Sequence, residues 1–134
     1  MKAKQFFAII AAAGVLVSCS KSREDYAEEY FALKKEAADI IMGCHTWDDA
    51  FAAADKLHAI ADEMEELEKE EKKYRYEWNE SELDMTNSEL KIYNDQIDNK
   101  GKEAKDKLRR AKEHIKGNDA GKSKYLEYAI ERVD

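Results

Sequence analysis

Residues 26 to 44 read YAEEYFALKKEAADIIMGC, and their spacing decides the fold class. Tyr26, Tyr30, Leu33, Ala37, Ile40 and Cys44 recur at alternating steps of four and three, the period of an amphipathic α-helix with one seam turned to a partner. Just before them, Ser22-Arg23-Glu24-Asp25 has the form of a capping box, with aspartate where Glu or Gln is usual. It places acids in the first turn, where the helix dipole favours them. Just after them, Gly43 is positioned to supply a left-handed C-terminal cap, and Thr46-Trp47-Asp48-Asp49 offers a second box of the same kind. Two helices joined by so short a turn form an antiparallel hairpin.

The second helix is expected from about Trp47 to Trp78. Ala50, Ala54, Leu57, Ala61, Met64 and Leu67 share one face, and Tyr74 and Trp78 extend it. Pairs at i,i+4 in the favourable order, Glu65 with Lys69, Glu68 with Lys72 and Glu71 with Arg75, make the acid-rich run from Asp62 to Lys73 a solvated helix face. The main turn falls within 79–87, where Ser81 and Thr86 each begin a candidate cap, the latter as Thr86-Asn87-Ser88-Glu89. A third helix then carries Leu90, Tyr93, Ile97, Ala104, Leu108, Ala111 and Ile115 on one stripe, with pairs Asp98 to Lys102, Glu103 to Lys107 and Asp106 to Arg110. Gly101 beside Asn99 marks a place for a kink or break. Gly117-Asn118 ends this helix, and residues 119 to 132 form a shorter one burying Tyr125, Tyr128 or Ala129, and Val133. The expected architecture is all-α: an antiparallel helical bundle or an extended helical hairpin, built from three long helices plus a short C-terminal helix.

At the other end of the chain, Lys2 and Lys4 precede the twelve-residue apolar run Phe6 to Val17, and small residues follow it, the three regions of a secretory signal. The run is shorter than the roughly 20 residues a hydrocarbon core requires; a buried core helix is the plainer alternative. Its end, Leu16-Val17-Ser18-Cys19, resembles the lipobox of bacterial lipoproteins, with an aliphatic residue three before the cysteine and a small one directly before it. The resemblance implies that the Cys19 thiol forms a thioether to a diacylglyceryl group, that the chain is cut between Ser18 and Cys19, and that the new amine is also acylated. It divides the chain into a cleaved signal peptide, 1–18, and a single helical domain, 19–134, anchored through Cys19. At about 0.8 kcal/mol per buried methylene, two or three acyl chains hold a protein on a membrane almost permanently. Ser20 resembles the residues that permit onward sorting. The implied location is therefore the outer membrane, facing periplasm or surface, in a host that has two membranes. The resemblance says nothing about residues 23 to 134.

Composition adds bounds. The 134-residue chain has a formal charge of −7, and loss of the two leader lysines makes it −9. So acidic a surface argues against a nucleic-acid partner, and the length allows one domain. Leu, Ile, Val and Phe number only 17 from Cys19 onward, a level that with high charge is typical of disordered chains. The helical spacing of the Met, Tyr and Trp residues points instead to ordered helices around a thin core. Lipidation of Cys19 leaves Cys44 as the one remaining thiol, either a small apolar residue packed at a helix end or a partner in an intermolecular disulfide.

Few residues suggest chemistry. Cys44, His45 and Asp49 are ligand types that zinc prefers, but adjacent residues seldom reach one ion and no CxxC or HxxxH pair supports them. They are weak metal candidates, and no cofactor is expected. His58 and Asp62 share a helix face, while His114 stands among lysines. With no GxSxG elbow, no glycine-rich phosphate loop and no two carboxylates in contrasting surroundings, enzymatic activity is not expected. Residues 62 to 71 carry seven acids against one lysine, whereas residues 100 to 116 carry eight basic residues against three acids. Such opposed charges suit pairing between neighbouring helices, pairing between two copies, or docking of an acidic partner. The functional expectation is a membrane-anchored structural or protein-interaction module of the bacterial cell envelope, with another protein or itself as partner. The alternatives are a ligand- or metal-binding helical bundle and a periplasmic chaperone-like or inhibitor protein.

Overall fold

The caps set the starts of the three long helices. In a computed structural model describing residues 21–134, Ser22 Oγ accepts the Asp25 N–H at 3.1 Å while Asp25 accepts the Ser22 N–H at 3.0 Å. This box opens α1, Arg23–Met42. Thr46 and Asp49 make the same reciprocal pair at the start of α2, Trp47–Leu83. Thr86 Oγ1 accepts the Glu89 N–H to open α3, Asn87–Lys116. A short 3-10 turn, Asp119–Lys122, and α4, Lys124–Val133, complete the chain. The readings of residues 1–18 as a signal peptide and of Cys19 as a lipidation site lie outside the described residues.

The protein is an all-α helical bundle with four α-helices and no strand among the described residues. α1 lies between α2 and α3, and α4 packs on α2. A ladder of ion pairs fixes α3 parallel to α1: Lys100 to Glu24 and Glu28, Lys35 to Glu103, and Lys107 to Asp39. The core fills the end of the bundle at the α1–α2 turn, where Leu33, Ile41, Leu57, Leu108, Leu126 and Val133 cluster with alanines from every α-helix. Among the described residues, ten of the 23 buried apolar ones are alanine. The helices can therefore approach closely, but each alanine removes little apolar area from water, and stabilisation scales with that area.

Several local expectations change. α2 runs to Leu83 rather than stopping near Trp78, and the turn narrows to Asp84, Met85 and Thr86. Gly43 has φ −81°, so no left-handed cap forms; its N–H continues the helix by reaching the Asp39 and Ile40 carbonyls at 3.2 Å. Gly101 does not break α3, which runs through it without interruption. It is buried where Phe31 packs so closely that a Cβ would lie 2.9 Å from the ring tip. The segment after Gly117 divides into two elements because Ser123 caps α4 afresh, accepting the Leu126 N–H at 3.2 Å. That new start shifts the buried stripe to Leu126, Ala129, Ile130 and Val133, and leaves Tyr125 and Tyr128 exposed.

The opposed charge runs do not meet each other, because α1 and α4 intervene. The basic run of α3 pairs with α1 and with Asp134, whereas the acidic run of α2 sends Asp62 and Glu65 to Arg132 at 2.7 and 3.1 Å. Tertiary partners likewise displace most of the expected i,i+4 pairs. Glu68 accepts from the Tyr30 hydroxyl, and Glu71 with Arg75 keeps its pairing.

Candidate functional site

α2 carries two stripes. The inner one, Ala50, Ala54, Leu57, Ala61 and Met64, belongs to the core. Beside it at helical spacing run Trp47, Phe51, Asp55, His58, Asp62 and Glu65. α4 lies parallel to this second stripe, and its own outer residues, Tyr125, Tyr128 and Arg132, come to rest against it. The rings form a chain across the two helices. Phe51 stands 5.9 Å from Tyr125, Tyr125 stands 6.0 Å from His58, and His58 stands 5.7 Å from Tyr128, centroid to centroid.

Polar contacts hold this arrangement. Tyr125 donates its hydroxyl to Asp55 at 3.2 Å, and the carboxylate pushes the phenol pKa above its ordinary value. Arg132 gathers His58, Asp62 and Glu65. A guanidinium has no acceptor, so His58 Nδ1 accepts from it at 2.9 Å. The rings nevertheless remain open to solvent: Trp47 is 47%, Phe51 51%, Tyr125 47% and Tyr128 60% exposed. Contiguous exposed aromatic surface of this kind marks interaction sites, and Trp, Tyr and Arg are the residues that most often dominate binding energy. Sequence reading placed Tyr125, and Tyr128 or Ala129, in the core, where only Ala129 of the three is buried, and did not gather Trp47 or Phe51 into a surface. The available signal was that Trp47 and Phe51 sit four apart and outside the alanine–leucine seam.

The sequence-derived metal candidates do not converge. Cys44 is buried, its Sγ directed to the Ile40 carbonyl at 3.4 Å, and burial raises the thiol pKa. Asp49 Oδ2 is occupied by the His45 and Thr46 backbone N–H groups, which hold its carboxyl below the usual range. His45 turns outward instead and meets His114 edge to face, with ring centroids 5.2 Å apart. Among the described residues, no three His, Cys, Asp or Glu side chains are gathered to hold a metal ion.

At the opposite end of α1, Tyr26 packs against Trp78 and Tyr74 at 5.2 and 5.9 Å, and Trp78 Nε1 donates to the Lys21 carbonyl at 2.8 Å. A cleft of about 440 Å³ opens here between α1 and α2, floored by Tyr26, Tyr30, Phe31, Leu67 and Trp78. Burial and the Glu70 carboxylate raise the Tyr26 phenol pKa, and burial and Glu68 do the same to Tyr30. No helix among the described residues is long and apolar enough to cross a membrane.

No protein-family model, no curated protein and no solved structure matches the chain.

Proposed function

We propose that the chain is a lipid-anchored docking module of the bacterial cell envelope, held to a membrane through Cys19 and binding a protein partner on the outer face of α2 and α4. The observation that carries the docking reading is the exposed ring chain of Phe51, Tyr125, His58 and Tyr128, with Trp47 one turn away. The lipobox-like sequence supports the anchor. α1 spans 20 residues, so the α1–α2 turn, beside which Trp47 begins the face, lies about 30 Å along the helix axis from Arg23.

Two measurements test the two halves of this reading. Mass spectrometry of the mature N-terminal peptide is expected to show diacylglyceryl on Cys19, and Cys19→Ser to move the chain out of the membrane fraction; an unmodified cysteine sinks the anchor. A photoreactive side chain at position 51 is expected to cross-link a protein in intact cells while one at exposed position 110 does not. Equal or absent cross-linking sinks the docking face. The cleft at Tyr26 and Trp78 favours a second reading, a bundle that holds a small apolar molecule. Native mass spectrometry of protein from its own host checks this, since an empty chain removes it.

A further inference from the structure

The aromatic face also carries a charge signature, and this names the chemistry of its occupant. Asp48 and Asp55 on α2 and Glu131 on α4 are exposed and flank the ring-bearing stripes at helical spacing. The cations beside them are already engaged: Lys124 with Glu127 at 3.1 Å, and Arg132 with Asp62 and Glu65. Lys56 acts on the Cys44 side of α2. Aromatic faces carry negative potential and attract guanidinium and ammonium groups within about 6 Å of the ring centroid. Rings rimmed by carboxylates thus favour a cation twice, by π-face attraction and by charge.

We propose that this face binds a cationic polypeptide segment of another protein, with Arg or Lys side chains laid over Phe51, Tyr125 and Tyr128 and paired with the surrounding carboxylates. The proposal rests on the docking reading above and specifies its partner. Other occupants fit less well. A second copy meets a like-charged molecule of net −7, and five of the eight basic residues of the α3 stretch, Lys100, Lys107, Arg109, Lys112 and Lys116, already pair within the monomer. An anionic bilayer is repelled by the same carboxylate rim.

The test uses the full chain in neutral detergent and a tetra-arginine peptide, with tetra-glutamate as control. Amide and indole resonances of Trp47, Phe51, Tyr125 and Tyr128 are expected to shift on addition of the arginine peptide, while the Trp78 indole stays in place. Phe51→Ala with Tyr128→Ala leaves the net charge unchanged and is expected to weaken binding at least fivefold at an unchanged melting temperature. Shifts spread over α3 as well, or equal affinity in the double variant, reduce the effect to net-charge attraction and overturn the proposal. Growth in mass with concentration through this face, or cross-linking in cells only to segments lacking Lys and Arg, overturns it too. In the last case the docking reading stands, whereas loss of all cross-linking from position 51 removes that reading itself.

Discussion

The backbone of Gly121 lies so close to that of Ile115 that a Cβ on the glycine would stand 2.0 Å from the Ile115 carbonyl oxygen and 2.8 Å from its carbon. This approach lets the 3-10 turn fold back on the end of α3, where Asn118 Oδ1 accepts the Gly121 N–H at 3.3 Å. A backbone atom cannot swing aside as a side-chain tip can. Gly121→Ala is therefore expected to lower stability by about 3 kcal/mol, the upper end for overpacking, read as a lower urea midpoint at an unchanged slope. Gly117 has nothing within 4 Å of its would-be Cβ and no left-handed φ. Gly117→Ala should leave the midpoint nearly unmoved.

Lys34 is a buried cation, 5% exposed, with its Nζ 5.7 Å from the Tyr30 ring centroid, and the charges of Asp134 and Glu68 only partly offset its burial. Burial pushes its ammonium pKa below 10.5, and Lys105 adds to the effect. A depressed folded pKa means that the charged form is destabilised on folding, so stability is recovered as pH rises through that pKa. Lys34→Met is expected to gain about 1 kcal/mol at pH 7. Thermal melts of parent and variant should converge as pH rises toward 10.5; a constant gap would show that the gain comes from packing rather than charge.

The starts of α1 and α2 were legible because capping is local, and Thr86 stood beside Ser81 as a candidate for the start of α3, whereas the Ser123 start of α4 was missed. Ser22, Thr46 and Thr86 each act on a backbone N–H three residues away, and each was readable from four consecutive letters. The α1 seam was legible except that Ile41, at 0% exposure, takes the depth expected of Ile40. A strict 3.5-residue seam drifts from the 3.6-residue helix by the end of 20 residues. The aromatic face was not legible. It depends on α4 docking parallel to α2 with Arg132 opposite Asp62, a register set by contacts 70 residues apart in sequence. Periodicity alone favoured burying Tyr125 and left Tyr128 and Ala129 as alternatives, while the Ser123 cap turned Leu126, Ala129 and Ile130 inward.

Asp49 gives a prediction at acid pH. Its carboxylate accepts the His45 and Thr46 N–H groups at 2.9 and 3.1 Å, and these bonds lower its pKa from 3.8. Stability from a depressed carboxylate is fully present above the unfolded pKa and is lost as pH falls through the folded one. Asp49→Asn is expected to melt a few degrees below the parent from pH 7 down to about pH 4. Below that, the difference should shrink as the parent's carboxylate takes up its proton. A difference that persists to pH 2 would assign the loss to side-chain geometry alone.

The last prediction concerns the sulfur of Cys44. It is 2% exposed, directed at the Ile40 carbonyl, and its pKa is raised by burial and by Asp49. Thiolate is the reactive form, so both access and ionisation oppose attack. An intermolecular disulfide at this position requires the corner between α1 and α2 to open first. The end of α3 guards that corner, since Asn118 Nδ2 donates to the Cys44 carbonyl at 3.1 Å. Thiol labelling by an aromatic disulfide reagent is expected to be at least a hundredfold slower than in urea, its rate set by opening free energy. Asn118→Ala removes two hydrogen bonds, the one to the Cys44 carbonyl and the one from the Gly121 N–H, each worth about 1 kcal/mol, and should speed labelling at least about fivefold. If native Cys44 reacts as fast as an unfolded cysteine, the corner does not close over it. If labelling is slow in both proteins at equal rates, the Asn118 contact does not govern the opening.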